Sequence, residues 1–116
     1  MTDNVLITGA NRGIGLALAQ AFQGAGYTVV ATYRSAADEA SMKAQGFLPV
    51  QCDVSSSQSV DRAFDAAEAL AGPIRTVVAN AGITRDGLLM RMSDEDIESV
   101  IHTNLVGSIV IARRAV

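Results

Sequence analysis

The sequence predicts an α/β fold with a doubly wound parallel sheet in the strand order 3-2-1-4, and three observations carry that expectation. A buried-strand run, Val5-Leu6-Ile7, passes through a glycine-rich turn directly into the helix-forming Leu16-Ala17-Leu18-Ala19. A second strand-like run, Tyr27 to Tyr33, follows within the roughly thirty residues of a strand-helix-strand unit, whose right-handed crossover makes the two strands parallel. Strand-like segments at 47–52 and 74–79 then alternate with helical ones, so the same unit repeats along the chain.

The first turn reads Thr8-Gly9-Ala10-Asn11-Arg12-Gly13-Ile14-Gly15. A helix start presents unpaired N–H groups and the positive end of the helix dipole, and glycines let a ligand approach the backbone, so the chemistry favours a pyrophosphate. The spacing G-x-x-x-G-x-G differs from the G-x-G-x-x-G dinucleotide fingerprint. Taken alone, the turn also suits a tight strand-to-helix connection with no ligand, the less favoured of the two readings.

Length and composition narrow the choice. With 116 residues, 49% of them hydrophobic, the chain makes one domain at most and buries roughly two-thirds of its unfolded surface. A net charge of −3 with scattered basic residues disfavours nucleic acid. Cys52 is the single cysteine, which excludes an intrachain disulfide and a thiolate metal cluster. Met1 to Asn4 carry no basic and apolar leader pattern, and no apolar run approaches the ~18 residues of a membrane span. The expectation is a cytoplasmic chain without a membrane partner or a metal.

In chain order, the first helix runs to about Ala25 and is stopped by Gly26. The second strand ends Thr32-Tyr33-Arg34, with no acid until Asp38. In a dinucleotide unit an acid at this point pairs with a free ribose 2′-hydroxyl, whereas an arginine accommodates a 2′-phosphate. Arg34 and Arg12 together therefore favour the phosphate, against the plainer reading of two solvated surface arginines. A short helix over 36–45 ends at Gly46, and Pro49 puts the third strand at a sheet edge. Asp53-Val54 follow at that strand's carboxyl end, where Asp53 either accepts from an adenine amino group or turns the chain into the next helix. That helix runs from about Gln58 to Leu70, and the fourth strand leads to Asn80-Ala81-Gly82, either a plain turn or a backbone wall beside a ribose.

Residues 83 to 93 read as a loop carrying Arg85, Asp86, Met90, Arg91 and Met92, and Ser93 caps the last helix. At 100° per residue, Val100, Ile111, Asn104, Ile97, Ser108, Ile101, Ala112 and Leu105 fall on one arc of about 140°, expected to face the sheet. Asn104 lies mid-arc, where a side-chain amide has to be hydrogen-bonded as a structural bracket or belong to a site. Gly107 marks a local distortion, and His102 points away as a surface residue. Val106, Ile109 and Val110 lie opposite the arc, so both sides of this helix are expected to be covered, the outer one by a partner subunit.

Together these residues resemble the short-chain dehydrogenases/reductases. The turn matches that family's T-G-x-x-x-G-x-G motif, while Asp53-Val54, Asn80-Ala81-Gly82 and Asn104 with Gly107 match its adenine, ribose and catalytic-asparagine positions. Asn80 to Met92, with Thr103-Asn104-Leu105, looks like the 3-oxoacyl-acyl-carrier-protein reductases, with acetoacetyl-CoA reductases as the alternative. The resemblance implies a Rossmann-type fold and reduction of 3-oxoacyl thioesters by NADPH in fatty acid biosynthesis. It assigns the cofactor to Gly9, Asn11, Arg12, Gly13, Ile14, Gly15, Arg34, Asp53, Val54, Asn80, Ala81 and Gly82, and a water in the proton relay to Asn104. The family's serine and its Tyr-x-x-x-Lys pair fall beyond Val116, so the chain is expected to be the cofactor-binding N-terminal half of a longer homo-oligomeric reductase, inactive alone. A binding module without turnover is the competing class. A purely structural protein is disfavoured because the glycines, Arg12, Arg34, Asp53 and Asn80 are kept together.

Overall fold

The computed structural model describes residues 3–82 and 91–116. The expected loop residues Arg85, Asp86 and Met90 lie outside them. The elements are β1 (Asn4–Ile7), α1 (Gly13–Gly24), β2 (Thr28–Tyr33), a single 3-10 turn at Ala36–Asp38, α2 (Glu39–Ala44), β3 (Leu48–Gln51), α3 (Ser57–Ala71), β4 (Thr76–Val78), α4 (Asp94–Ile101), a π turn at His102–Val106 and α5 (Gly107–Ala115). The strands form one parallel sheet in the order β3-β2-β1-β4, as the repeated crossover unit requires. Pro49 stands on the edge strand β3 opposite Ala31, where a missing N–H costs least.

Alternation along β1 sorts the core into two compartments. Leu6 joins Val30, Val50, Val60, Phe64 and Ile111 under α3 and α5, while Val5 and Ile7 join Ala19, Val29, Ala31, Met42 and Phe47 under α1 and α2. Asn4, 3% exposed, is satisfied at both ends of its amide: Nδ2 donates to the Ala71 and Pro73 carbonyls at 3.1 and 2.8 Å, and Oδ1 accepts from Arg75 N–H at 2.8 Å. It ties the start of β1 to the connection between α3 and β4. The left-handed glycines Gly26, Gly46 and Gly72 follow α1, α2 and α3, where an L-residue would be strained.

The last helix differs from its sequence reading. What it turns toward α3 is Gly107, Val110, Ile111 and Arg114, about one residue's rotation (~100°) from the arc of greatest hydrophobicity. Docking is set by close approach and by a long side chain: Gly107 lies against Val54, and the Arg114 guanidinium sits 5.0 Å from the Phe64 ring centroid while reaching Asp61, Asp65 and Glu68 on α3. Ile101 and Leu105, placed on the sheet side from periodicity, are 51% and 58% exposed, and Val110, placed outside, packs on the core. Asn104 is likewise exposed rather than mid-core. The distortion expected at Gly107 is the π turn that immediately precedes it.

Candidate functional site

The strand order, which runs outward from β1 to β3 on one side and to β4 on the other, switches direction between β1 and β4 and opens a crevice at the carboxyl ends of the strands. A cavity of about 690 Å³ lies there. Its floor is the first turn, with Gly9, Asn11, Arg12, Gly13 and Ile14. One wall is the end of β2, with Arg34 and Asp38, and a second is Cys52-Asp53-Val54 after β3. Asn80-Ala81-Gly82 and Thr103 close it. Of the cofactor residues expected from sequence, Gly15 alone is not on the surface of this cavity.

Gly15 works from beneath. A Cβ there would collide with the Gly9 carbonyl oxygen and crowd the Asn80 side chain, so the helix start can press against the turn because position 15 has no side chain. Gly9 and Gly13 have φ of 68° and 57°, the left-handed region. The turn is held to β4 by Thr8, which is 1% exposed. Its hydroxyl oxygen accepts from the N–H groups of Asn80 and Ala81, both at 3.0 Å, and Asn80 Nδ2 donates to Gly9 O at 3.2 Å. Sequence reasoning placed Thr8 in the turn motif without giving it a role; a second signal was a polar residue directly after the apolar run Val5-Leu6-Ile7.

The electrostatics suit an anion. The α1 N-cap, Arg12, has extended backbone and no side-chain cap, and the first turn holds no acid, so its orphan amides face the cavity without competition. Arg12 and Arg34 add two cations to the lining, while Asp53 and Asp38 add two acids, the second of which lies further along the sequence than the end of β2. Asp53 takes the turn-forming role: Oδ1 accepts from Ser55 Oγ–H at 2.6 Å and Ser55 N–H at 3.0 Å, and Ser56 caps α3. The Ser55 hydroxyl and amide, with Arg34 and His102 nearby, hold the Asp53 carboxyl below the ordinary carboxylate range. Burial beside Asp53 pushes the Cys52 thiol up to about 11, which makes it a neutral wall rather than a nucleophile. Asn104 Oδ1 lies 3.1 Å from where a Cβ on Gly82 would be, bringing the expected relay asparagine to the far end of the crevice. His102 is exposed, as expected, but does not simply face solvent: its Nε2 is 2.7 Å from the Ser55 carbonyl.

A glycine cradle at a helix start, two arginines and polar turns on both sides fit a nucleoside pyrophosphate in shape and charge. The profile of the short chain dehydrogenase family matches residues 3–116. The chain belongs to the short chain dehydrogenase family. It is 46% identical over 115 residues to the 3-oxoacyl-acyl-carrier-protein reductase MabA of Mycobacterium tuberculosis, covering 99% of this chain and 44% of that one. It is 40% identical over 109 residues to an acetoacetyl-CoA reductase of Shinella zoogloeoides, covering 92% of this chain and 45% of that one. Among solved structures, actinorhodin polyketide ketoreductase with NADPH superimposes at a TM-score of 0.89 and 27% identity, over 98% of this chain and 46% of that one. The chain thus spans about half the length of these relatives and shares the Rossmann-type sheet of the ketoreductase.

Proposed function

We propose that residues 1–116 form the NADPH-binding part of a cytoplasmic reductase of 3-oxoacyl thioesters, carried on acyl carrier protein or coenzyme A. The observation that carries the cofactor half is the uncapped α1 start flanked by Arg12 and Arg34 in one cavity. The substrate half rests on relatives named as reductases of such thioesters; the acetoacetyl-CoA reductase keeps the coenzyme A ester as the second substrate. The cytoplasmic location rests on the single unpaired cysteine. The bound nicotinamide would supply a hydride to the substrate carbonyl. The α1 amides hold the pyrophosphate, Arg12 and Arg34 the 2′-phosphate, Asp53 and Val54 border the adenine, and Asn80 to Gly82 border the nicotinamide ribose. Asn104 orders a water at that end.

NADPH is expected to bind about 10–100-fold more tightly than NADH, since a lost charge-assisted hydrogen bond costs about 1.5–3 kcal/mol and both arginines are partly screened by solvent. Calorimetric titration of both nucleotides checks this, and equal affinities would overturn it. Arg34→Ala is expected to remove most of the preference.

Residues 1–116 alone are expected to bind nucleotide without turnover, because neither Tyr27 nor Tyr33 has a lysine four residues on and Lys43 is the single lysine. A general acid typically contributes about 10²–10⁴-fold. Steady NADPH oxidation by these residues with an acetoacetyl thioester would refute the assignment.

The outer face of α4 and α5 supports a homo-oligomer. Ile101, Leu105 and Ile109 are each more than half exposed, with acids Asp94, Glu95 and Glu98 at one end and Arg113 at the other. Two copies related by a two-fold axis and packed antiparallel would bury the apolar centre and pair the charged ends. Each buried aliphatic side chain contributes roughly 1.5–3 kcal/mol. In sedimentation velocity at micromolar concentration the protein should sediment as a dimer or larger, and Leu105→Glu with Ile109→Glu as a smaller species. A monomer unaltered by both substitutions would exclude this face.

A further inference from the structure

We infer that His102 is a positioning residue for the adenosine end of the cavity, an assignment that rests on the dinucleotide reading above. A carbonyl oxygen only accepts, so in the 2.7 Å contact with Ser55 O the His102 Nε2 carries the proton and donates it. Ser55 passes the restraint on: its N–H and Oγ–H both end on Asp53 Oδ1, and Asp53 N–H donates to Ser59 Oγ at 2.8 Å. The wall formed by Asp53 and Val54 is therefore fastened at its far end by a side chain from the π turn.

A second contact lies one turn along the same helix. A Cβ on Gly107 would stand 3.0 Å from Val54 Cγ2 and 3.1 Å from Val54 O, so the helix backbone backs directly against the wall. Between these two fixings Thr103 faces the cavity and Asn104 reaches the vicinity of Gly82. On the other side of Ser55 is an adjoining cavity of about 560 Å³, bordered by Arg34, Glu98 and His102. Without the His102 contact, the Asp53–Ser55 turn has that space to move into. His102 thus sets the separation between Arg34 and Asp53 on one side and Thr103 on the other.

Two measurements on His102→Leu and His102→Gln test this. Glutamine keeps an N–H donor at a reach similar to Nε2; leucine removes it. In nucleotide-free protein, hydrogen exchange at the Ser55 amide should be about 10-fold faster in His102→Leu, with the β1 amides of Leu6 and Ile7 unchanged, and should return to the wild-type rate in His102→Gln. Adenosine 2′,5′-bisphosphate, which has no nicotinamide, should bind about 3–10-fold more weakly to His102→Leu and regain its affinity in His102→Gln. Unchanged Ser55 exchange in His102→Leu, or no rescue by glutamine, overturns the role. Wild-type protein that binds no bisphosphate overturns the dinucleotide reading and the adenosine role with it, whereas the exchange result separately reports whether His102 holds the wall.

Discussion

Gly15→Ala is expected to destabilise the protein by about 2–4 kcal/mol and to remove measurable dinucleotide binding. The added methyl would stand on the Gly9 carbonyl oxygen and 2.8 Å from the Gly9 carbonyl carbon, so backbone, not a movable side-chain end, has to give way. Overpacking of this kind typically costs about 1–3 kcal/mol, and the hydrogen bond from Asn80 Nδ2 to that oxygen adds roughly 0.5–1.5 kcal/mol when displaced. Both losses fall on the cradle itself. Gly24→Ala is the matching control at the other end of α1, where a methyl meets nothing within 4 Å; it should be neutral or stabilise by up to about 1 kcal/mol through helix propensity. Urea denaturation of the two variants decides the point: equal midpoints would show that position 15 has room.

Thr8→Val should lower stability by about 1–3 kcal/mol and weaken nucleotide binding by about an order of magnitude. Valine fills the same volume, so the cost is chemical: Ala81 N–H loses its acceptor, while Asn80 N–H retains Val78 O at 3.1 Å. The turn after β4 is then free to draw away from Gly9, widening the crevice at Asn80 to Gly82. Thr8→Ser keeps the acceptor oxygen and should stay within about 1 kcal/mol of wild type. If valine and serine melt together, the hydroxyl is not what joins the two turns.

The parts of this molecule that were legible in sequence are those written in neighbouring residues. Val5-Leu6-Ile7 followed by three glycines and an alanine-leucine run specifies strand, turn and helix locally, and Gly26, Gly46 and Gly72 mark helix ends because a positive φ is needed there. The cavity-lining turns were legible for the same reason, each lying where a strand stops. Strand ends were less so: β4 is Thr76–Val78, shorter than the expected 74–79, because pairing with β1 decides where a strand ends. What could not be read spans long separations. Thr8 finds Ala81 across 73 residues, His102 finds Ser55 across 47, and Arg114 finds Asp65 across 49. No periodicity encodes those meetings. The last helix misled for a related reason: a glycine, an arginine stem and Ile111 make its contact, whereas Ile101 and Leu105 of the same apolar arc are left outward.

Leu6 and Ile7 are adjacent in the chain, yet each belongs to a hydrophobic compartment the other does not enter. A change in volume at one is absorbed by α3 and α5, and at the other by α1 and α2, with the sheet as partition. The molecule is thus free to drift in sequence as two halves back to back, one beneath α1 and α2 and one beneath α3 and α5. What cannot drift separately are β1 and β2, whose alternate residues fill the two compartments in turn.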